Sequence, residues 1–302
     1  MKITTVIVAA VAFVGVSAGY AQDKSALIEK LKSKDADEAD NAREDLLKMG
    51  VDAIPALREA ASKSGDEAFK KAATAIVERL QIRQVAPGLA KQWGDRWYSV
   101  FIGAVHAGWV HIKAEDREGK IFLSNEIHVQ MNKNQAYDVK ADVTCNPDEY
   151  LSIASIALDV AAPDKSISVT AQVKEGRLVV KTGGEVKATK IKPNTVVDLA
   201  VFPLVTILPR TEGYEIDVME LIKPKLPEAA ALKFDKEETI EYGERKVKAR
   251  RFMLAKGDGK DRFYYVDATN RLIRVHLTSE DDKDVDMTLS DEKRAKDIDT
   301  KD

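Results

Sequence analysis

Four histidines, one cysteine and three tryptophans have the widest chemical reach in this 302-residue chain. A metal site needs ligands that converge at characteristic spacings. His106 and His111 share one run of alternating residues at an odd separation, which predicts opposite faces of a strand, and His128 falls on the polar side of its own run. With His276 far off in the chain, the reading is four surface histidines, no metal and no other cofactor. Cys145 has no partner for a disulfide within the chain. No basic residue adjoins it to favour the thiolate, so Thr144-Cys145-Asn146-Pro147 reads as a strand entering a turn, with the thiol as a small buried apolar group.

Catalytic patterns are missing from the sequence. No serine sits in a nucleophile elbow, no glycine-rich loop opens a helix after a strand, and no cysteine–histidine pair is spaced for covalent catalysis. The acid pairs Glu237-Glu238 and Asp281-Asp282 read as charged turns or tail, not as carboxylates with divergent environments in a cleft. A non-enzymatic protein is expected. Trp93, Trp97 and Trp109 with Tyr98 form either an aromatic ligand wall or core packing at a domain seam, and packing is the commoner use of large aromatics.

The elements that must position these residues begin with an expected leader. Lys2, the apolar run Val6 to Val16 and the small-residue stretch Ser17-Ala18-Gly19-Tyr20-Ala21 make the three parts of a secretory signal over 1–21, cleaved near Ala21. The run is too short for the ~20 apolar residues of a membrane span. The expectation is export to the periplasm or beyond. Basic residues (47) and acidic residues (50) nearly balance, and no Lys/Arg block is present, which argues against a nucleic-acid partner.

Residues 22–85 are rich in Ala, Leu, Glu, Lys and Arg, the residues that lose least freedom in a helix. Four helices fit. Their apolar stripes are Leu27, Ile28 and Leu31; Ala39, Ala42, Leu46 and Leu47, closed by Gly50; Ile54, Leu57 and Ala61; and Phe69, Ala72, Ala73, Ile76, Val77 and Leu80. Ile28 to Leu47 and Ile54 to Val77 share a layout that resembles two HEAT-like helix pairs, best seen in Gly50-Val51-Asp52-Ala53-Ile54-Pro55-Ala56-Leu57-Arg58. Since solenoids need ~3 repeats to stand alone, this segment should pack on the following domain or present an open face to an envelope protein partner.

Val85-Ala86-Pro87-Gly88 breaks the helical pattern, and from Trp97 the period becomes two. Ile121, Leu123, Asn125, Ile127, Val129 and Met131 oppose a polar set, as do Tyr137, Val139, Ala141, Val143 and Cys145. Further strands are expected over 97–102, 105–112, 153–160, 167–173, 177–181, 185–191, 214–220, 246–254, 262–266 and 272–277. Hairpin turns fall at Ile102-Gly103-Ala104, Glu175-Gly176, Gly257-Asp258-Gly259 and Asp267-Ala268-Thr269-Asn270. So many strands with one apolar face must curl to bury it. Thr195 to Pro209 is apolar on every side and reads as a buried helix, kinked at Pro203, across the concave side; a pair of buried strands is the rival. The tail from Ser279 offers at most one edge strand, through Val285, Met287 and Leu289, and residues 291–302 read as disordered.

The fold class is therefore α+β: N-terminal helical hairpins, then over 94–290 a curved antiparallel sheet or unclosed β-barrel with a buried apolar helix. Trp97-Tyr98-Ser99-Val100-Phe101-Ile102-Gly103 followed by Val105-His106-Ala107-Gly108-Trp109 resembles the opening of the periplasmic half-barrel proteins similar to the lipoprotein carrier LolA. Phe263-Tyr264-Tyr265-Val266-Asp267 with Asn270-Arg271-Leu272-Ile273-Arg274-Val275 resembles their closing hairpin, and Val196 to Leu208 their plugging helix. The resemblance implies an unclosed barrel that shelters acyl chains or other apolar molecules; it transfers no binding residue position by position. Two functional readings follow. In the first the sheet holds a lipid-like molecule or acyl chain, with Trp109, Leu123, Ile127, Val129 and Phe202 as candidate lining. In the second the apolar segment fills the concavity and the helices recruit an envelope partner through an apolar patch.

Overall fold

The computed structural model describes residues 24–132, 135–211, 213–221, 226–256, 261–278 and 284–298. The expected leader, the Gly257-Asp258-Gly259 turn, Asp281-Asp282 and the last residues of the tail lie outside the described residues. The chain divides into two compact units, one ending at Val77 and the other beginning at Glu78.

The first unit contains α1 (Lys24–Lys30), α2 (Ala36–Met49), α3 (Ile54–Lys63) and most of α4 (Glu67–Val85), so all four expected helices form. Local chemistry sets their ends. The Asp35 carboxylate accepts from the amides of Asp37 and Glu38 at the start of α2, and Asp66 does the same for Ala68 and Phe69 in α4. Gly50 closes α2 at φ 69°, where a side chain would be strained. Leu27, Ile28, Leu31, Ala42, Leu46, Leu57, Phe69, Ala73 and Ile76 are all buried. Of the large apolar side chains in α1, α2 and α3 and the turns between them, only Val51 is exposed, at 43%. The expected apolar patch is not found among the described residues.

In the second unit α4 ends where Pro87 and Gly88 make a single 3₁₀ turn, followed by α5 (Leu89–Trp93). The sheet then contains β1 (Asp95–Ile102), β2 (Val105–Arg117), β3 (Lys120–Asn132), β4 (Gln135–Cys145), β5 (Ile153–Ala162), β6 (Lys165–Lys174), β7 (Arg177–Thr182) and β8 (Glu185–Lys190). The short β9 (Thr195–Val197), a 3₁₀ turn and α6 (Val201–Ile207) follow. β10 (Tyr214–Met219), β11 (Glu228–Tyr242), β12 (Arg245–Lys256), β13 (Arg262–Asp267), β14 (Leu272–Thr278), β15 (Asp284–Ser290) and α7 (Glu292–Lys296) complete the chain.

Among the described residues these make one curved, unclosed sheet in the order β8-β7-β6-β5-β4-β3-β2-β1-β15-β14-β13-β12-β11-β10-β9. Every pairing is antiparallel except β9 with β10, so the sheet is mixed rather than wholly antiparallel. Two elements differ from expectation. Glu237 and Glu238 lie within the long strand β11, not in a turn, because Lys248 and Arg251 of the neighbouring strand, one on each face, pair with them. β15 is a central strand between β1 and β14, and residues 292–296 beyond it form α7, whose Ala295 is fully buried.

The inner face carries the core. Tyr98, Ile112, Leu123, Val143, Leu232, Phe252, Tyr264 and Val275 are buried there with the Thr195–Leu208 segment. That segment combines both rival readings: one short strand, then a single-turn 3₁₀ piece, then the helix α6 that contains Pro203.

Candidate functional site

The concave face is the place to look for a ligand, and α6 occupies it. From Thr195 to Leu208 every residue but Asp198 and Ile207 is buried. Phe202 stands edge-on to Tyr98 and Tyr264, with ring centroids 6.2 and 5.9 Å away, and Tyr98 stacks on Trp93 at 6.5 Å. This aromatic chain is core packing, and two of its polar groups are satisfied: the Trp93 indole N–H donates to the Ile112 carbonyl and the Tyr98 hydroxyl to that of Leu272. A cavity of about 90 Å³ remains, walled by Ile127, Val139, Leu199, Phe202, Leu221 and Met287, with Asp198, Arg262 and Tyr264 as its polar side.

These polar residues belong to a mostly buried charge network. Lys256, 8% exposed, donates to Glu220 at 2.6 Å; Arg262 donates to the same oxygen at 2.7 Å and faces Asp198 at 3.6 Å. Two cations and two carboxylates cancel, which is the arrangement a low-dielectric site tolerates. Burial raises the Asp198 pKa, opposed by the Arg262 charge. Burial also pushes the Tyr264 phenol up to about 12. The Tyr264 hydroxyl has no hydrogen-bond partner of good geometry, and neither has the buried Asn125 Oδ1. A hollow of this size with a polar wall suits a few water molecules, at ~30 Å³ each.

The five candidate lining residues part company here. Ile127 and Phe202 meet at the cavity. Leu123 is fully buried in the packed core away from the cavity wall, and Val129 lies half-buried farther along β3, packed against the same core. Trp109 is a correction: it pairs in register with His128 and Ser99, one position out of phase with the inward Val110 and Ile127, so it stands on the outer face. Asp198, Glu220, Lys256 and Arg262 were not anticipated. The available signal was Asp198 itself, a lone charge inside an otherwise apolar run.

The outer face also corrects the histidines. A bulge between β1 and β2 leaves Ala107 as the extra residue, so that Phe101 pairs with His106 while Val100 pairs with Gly108. His106 thereby joins the outer face with His111 instead of opposing it. Gly108 is required at this point, since a Cβ there would lie 2.0 Å from the His128 carbonyl oxygen. His111 bonds to Asp95 at 2.6 Å, His128 to Asp138 at 2.7 Å and His276 to Asp286 at 3.2 Å. No cluster of three or more metal-ligating side chains forms among the described residues. Cys145 is buried, and burial pushes its thiol up to about 12, with Asp148 adding to the effect.

The fold and this site define a half-barrel whose concavity is filled by its own chain. No family model matches the sequence, and no curated protein matches it. Two solved structures are similar over the larger part of the chain. One is a beta-barrel-like protein of domain of unknown function DUF1849 from Brucella abortus, 10% identical, covering 65% of this chain and 94% of that one at a TM-score of 0.46. The other is a DUF1089 family protein from Pseudomonas aeruginosa, 12% identical, covering 55% of this chain and 88% of that one at a TM-score of 0.38.

Proposed function

We propose that this is a non-enzymatic, exported binding protein of the cell envelope that recognises its partner on its surface, with the half-barrel serving as a filled scaffold. The observation that carries this reading is the volume left around α6: about 90 Å³, against the ~300–1,000 Å³ of pockets that enclose small molecules. An acyl chain enters only if Val201–Ile207 leaves, and that would expose Val201, Phe202, Leu204 and Val205, all buried. Burial of such side chains stabilises by ~1.5–3 kcal/mol each, so displacement is costly. The LolA-like and HEAT-like resemblances fit an envelope role of this kind. The polar surface of the helices is the side offered to a protein partner, because their apolar stripes are turned inward.

The test is native mass spectrometry of protein purified from its own envelope fraction, with titration of a fluorescent fatty acid. A clean polypeptide mass and no uptake are expected. A stoichiometric hydrophobic adduct would overturn the reading and make the protein a carrier. Phe202→Ala is the internal control: it enlarges the hollow, and uptake of a small apolar probe is expected only in that variant.

A further inference from the structure

The outer face carries an aromatic arrangement that the filled half-barrel does not need. Trp97 and Trp109, on adjacent strands, are tilted by 50° with centroids 5.2 Å apart. His111 stacks on Trp97 at 4.0 Å and His128 on Trp109 at 5.9 Å, each imidazole held in turn by Asp95 or Asp138. Both indoles are only half-buried. The cleft between them is occupied: the ammonium of Lys296 lies 4.6 Å from the Trp97 ring centre and 5.5 Å from that of Trp109.

An ammonium against two indole faces is the arrangement by which aromatic walls recognise organic cations, through the negative ring face. Here the cation comes from α7 of the same chain. α7 is anchored independently of Lys296, by the buried Ala295 and by the His106 ring, whose Nδ1 lies 2.8 Å from the Asp297 carbonyl oxygen. Glu292, one turn before Lys296, accepts from the same ammonium at 2.7 Å and supplies a carboxylate at the mouth of the cleft. Beyond Trp97 the surface continues as an open cleft of about 1360 Å³, past Ser99 and Phe101 to the hairpin tip at Tyr242 and Gly243, so the site is not closed off on that side.

We propose that Trp97 and Trp109 form a binding site for the ammonium group of an organic cation, and that Lys296 occupies it as an internal ligand. A tethered occupant competes at an effective concentration of the order of millimolar, so an incoming cation gains access when Lys296 is displaced or removed.

Tetramethylammonium is the probe and tert-butanol its neutral counterpart of similar size, followed by proton NMR on the small molecule. In Lys296→Ala the methyl resonance of tetramethylammonium is expected to shift upfield under the indole ring currents. The wild-type chain should need several-fold more probe for the same shift, and tert-butanol should show none. Trp109→Ala in the Lys296→Ala background should abolish the shift and Trp109→Phe, which preserves packing, should weaken it; near-UV circular dichroism checks that each variant is folded. Equal binding by wild type and Lys296→Ala would overturn the role of Lys296. No shift in folded Lys296→Ala, or an equal response to tert-butanol, would overturn the cation site.

Discussion

At the scale of single residues, environment decides what each reactive group can do. The Cys145 thiol is buried and held protonated, so native protein at pH 8 should resist a thiol reagent such as Ellman's, and full labelling should appear only on unfolding. Asp198 has a folded-state pKa above its unfolded value, so the folded state favours the acid and loses stability as pH rises from the ordinary carboxylate range through the raised value. Asp198→Asn keeps the acceptor for the Leu199 amide and removes that cost. Urea melts should therefore find that the loss of stability as pH rises from ~4 is smaller in the variant than in wild type. Gly108→Ala places a methyl group against the β3 backbone; a loss of at least ~1–3 kcal/mol is expected from the same melts.

Among the elements, α6 and β15 carry the most consequence. Phe202 joins the aromatic chain from Tyr98 to Tyr264, and Phe202→Ala should destabilise by ~3–5 kcal/mol, a fall in Tm of the order of 10 °C by calorimetry. β15 pairs on both sides, with β1 from Trp97↔Ser290 to Ile102↔Val285 and with β14 from Arg274↔Thr288 to Thr278↔Asp284. A chain truncated before Asp284 would leave two long strands with open edges and should be recovered as aggregate. Truncation after Ser290 removes α7 alone and should leave a soluble sheet, distinguishable by sedimentation and far-UV circular dichroism.

For the whole molecule, the same pairing joins the first strand of the sheet to the last. Contacts so distant in sequence carry a large loop-closure cost before they stabilise anything. Refolding of the sheet followed by stopped-flow tryptophan fluorescence should thus run in milliseconds to seconds or slower, not in microseconds. It should be incomplete in any chain that lacks β15. An unclosed sheet also keeps two ends. β8 is short and carries Glu185, Lys187 and Lys190, charges that discourage pairing with another chain beside its exposed Val186.

Local patterning determined a good deal by itself: four N-terminal helices, nearly every strand, the curled sheet and the buried character of the apolar segment. Each follows from a period or a cap readable within a few residues. Tertiary structure alone decided where β15 inserts, because Val285, Met287 and Leu289 alternate identically for an edge and a centre strand. It also decided that Glu237 and Glu238 extend a strand, since their partners come from β12. The face of His106 was of the same kind: one extra residue at Ala107 re-phases what precedes it, and no count along the sequence reveals a bulge that only the neighbouring strand defines, whereas Trp109 alternates simply with the buried Val110 and Ile112 and its outer face was legible. How much room α6 leaves in the concavity depends on packing density across the sheet, a property of volumes in three dimensions and not of apolar character along a line.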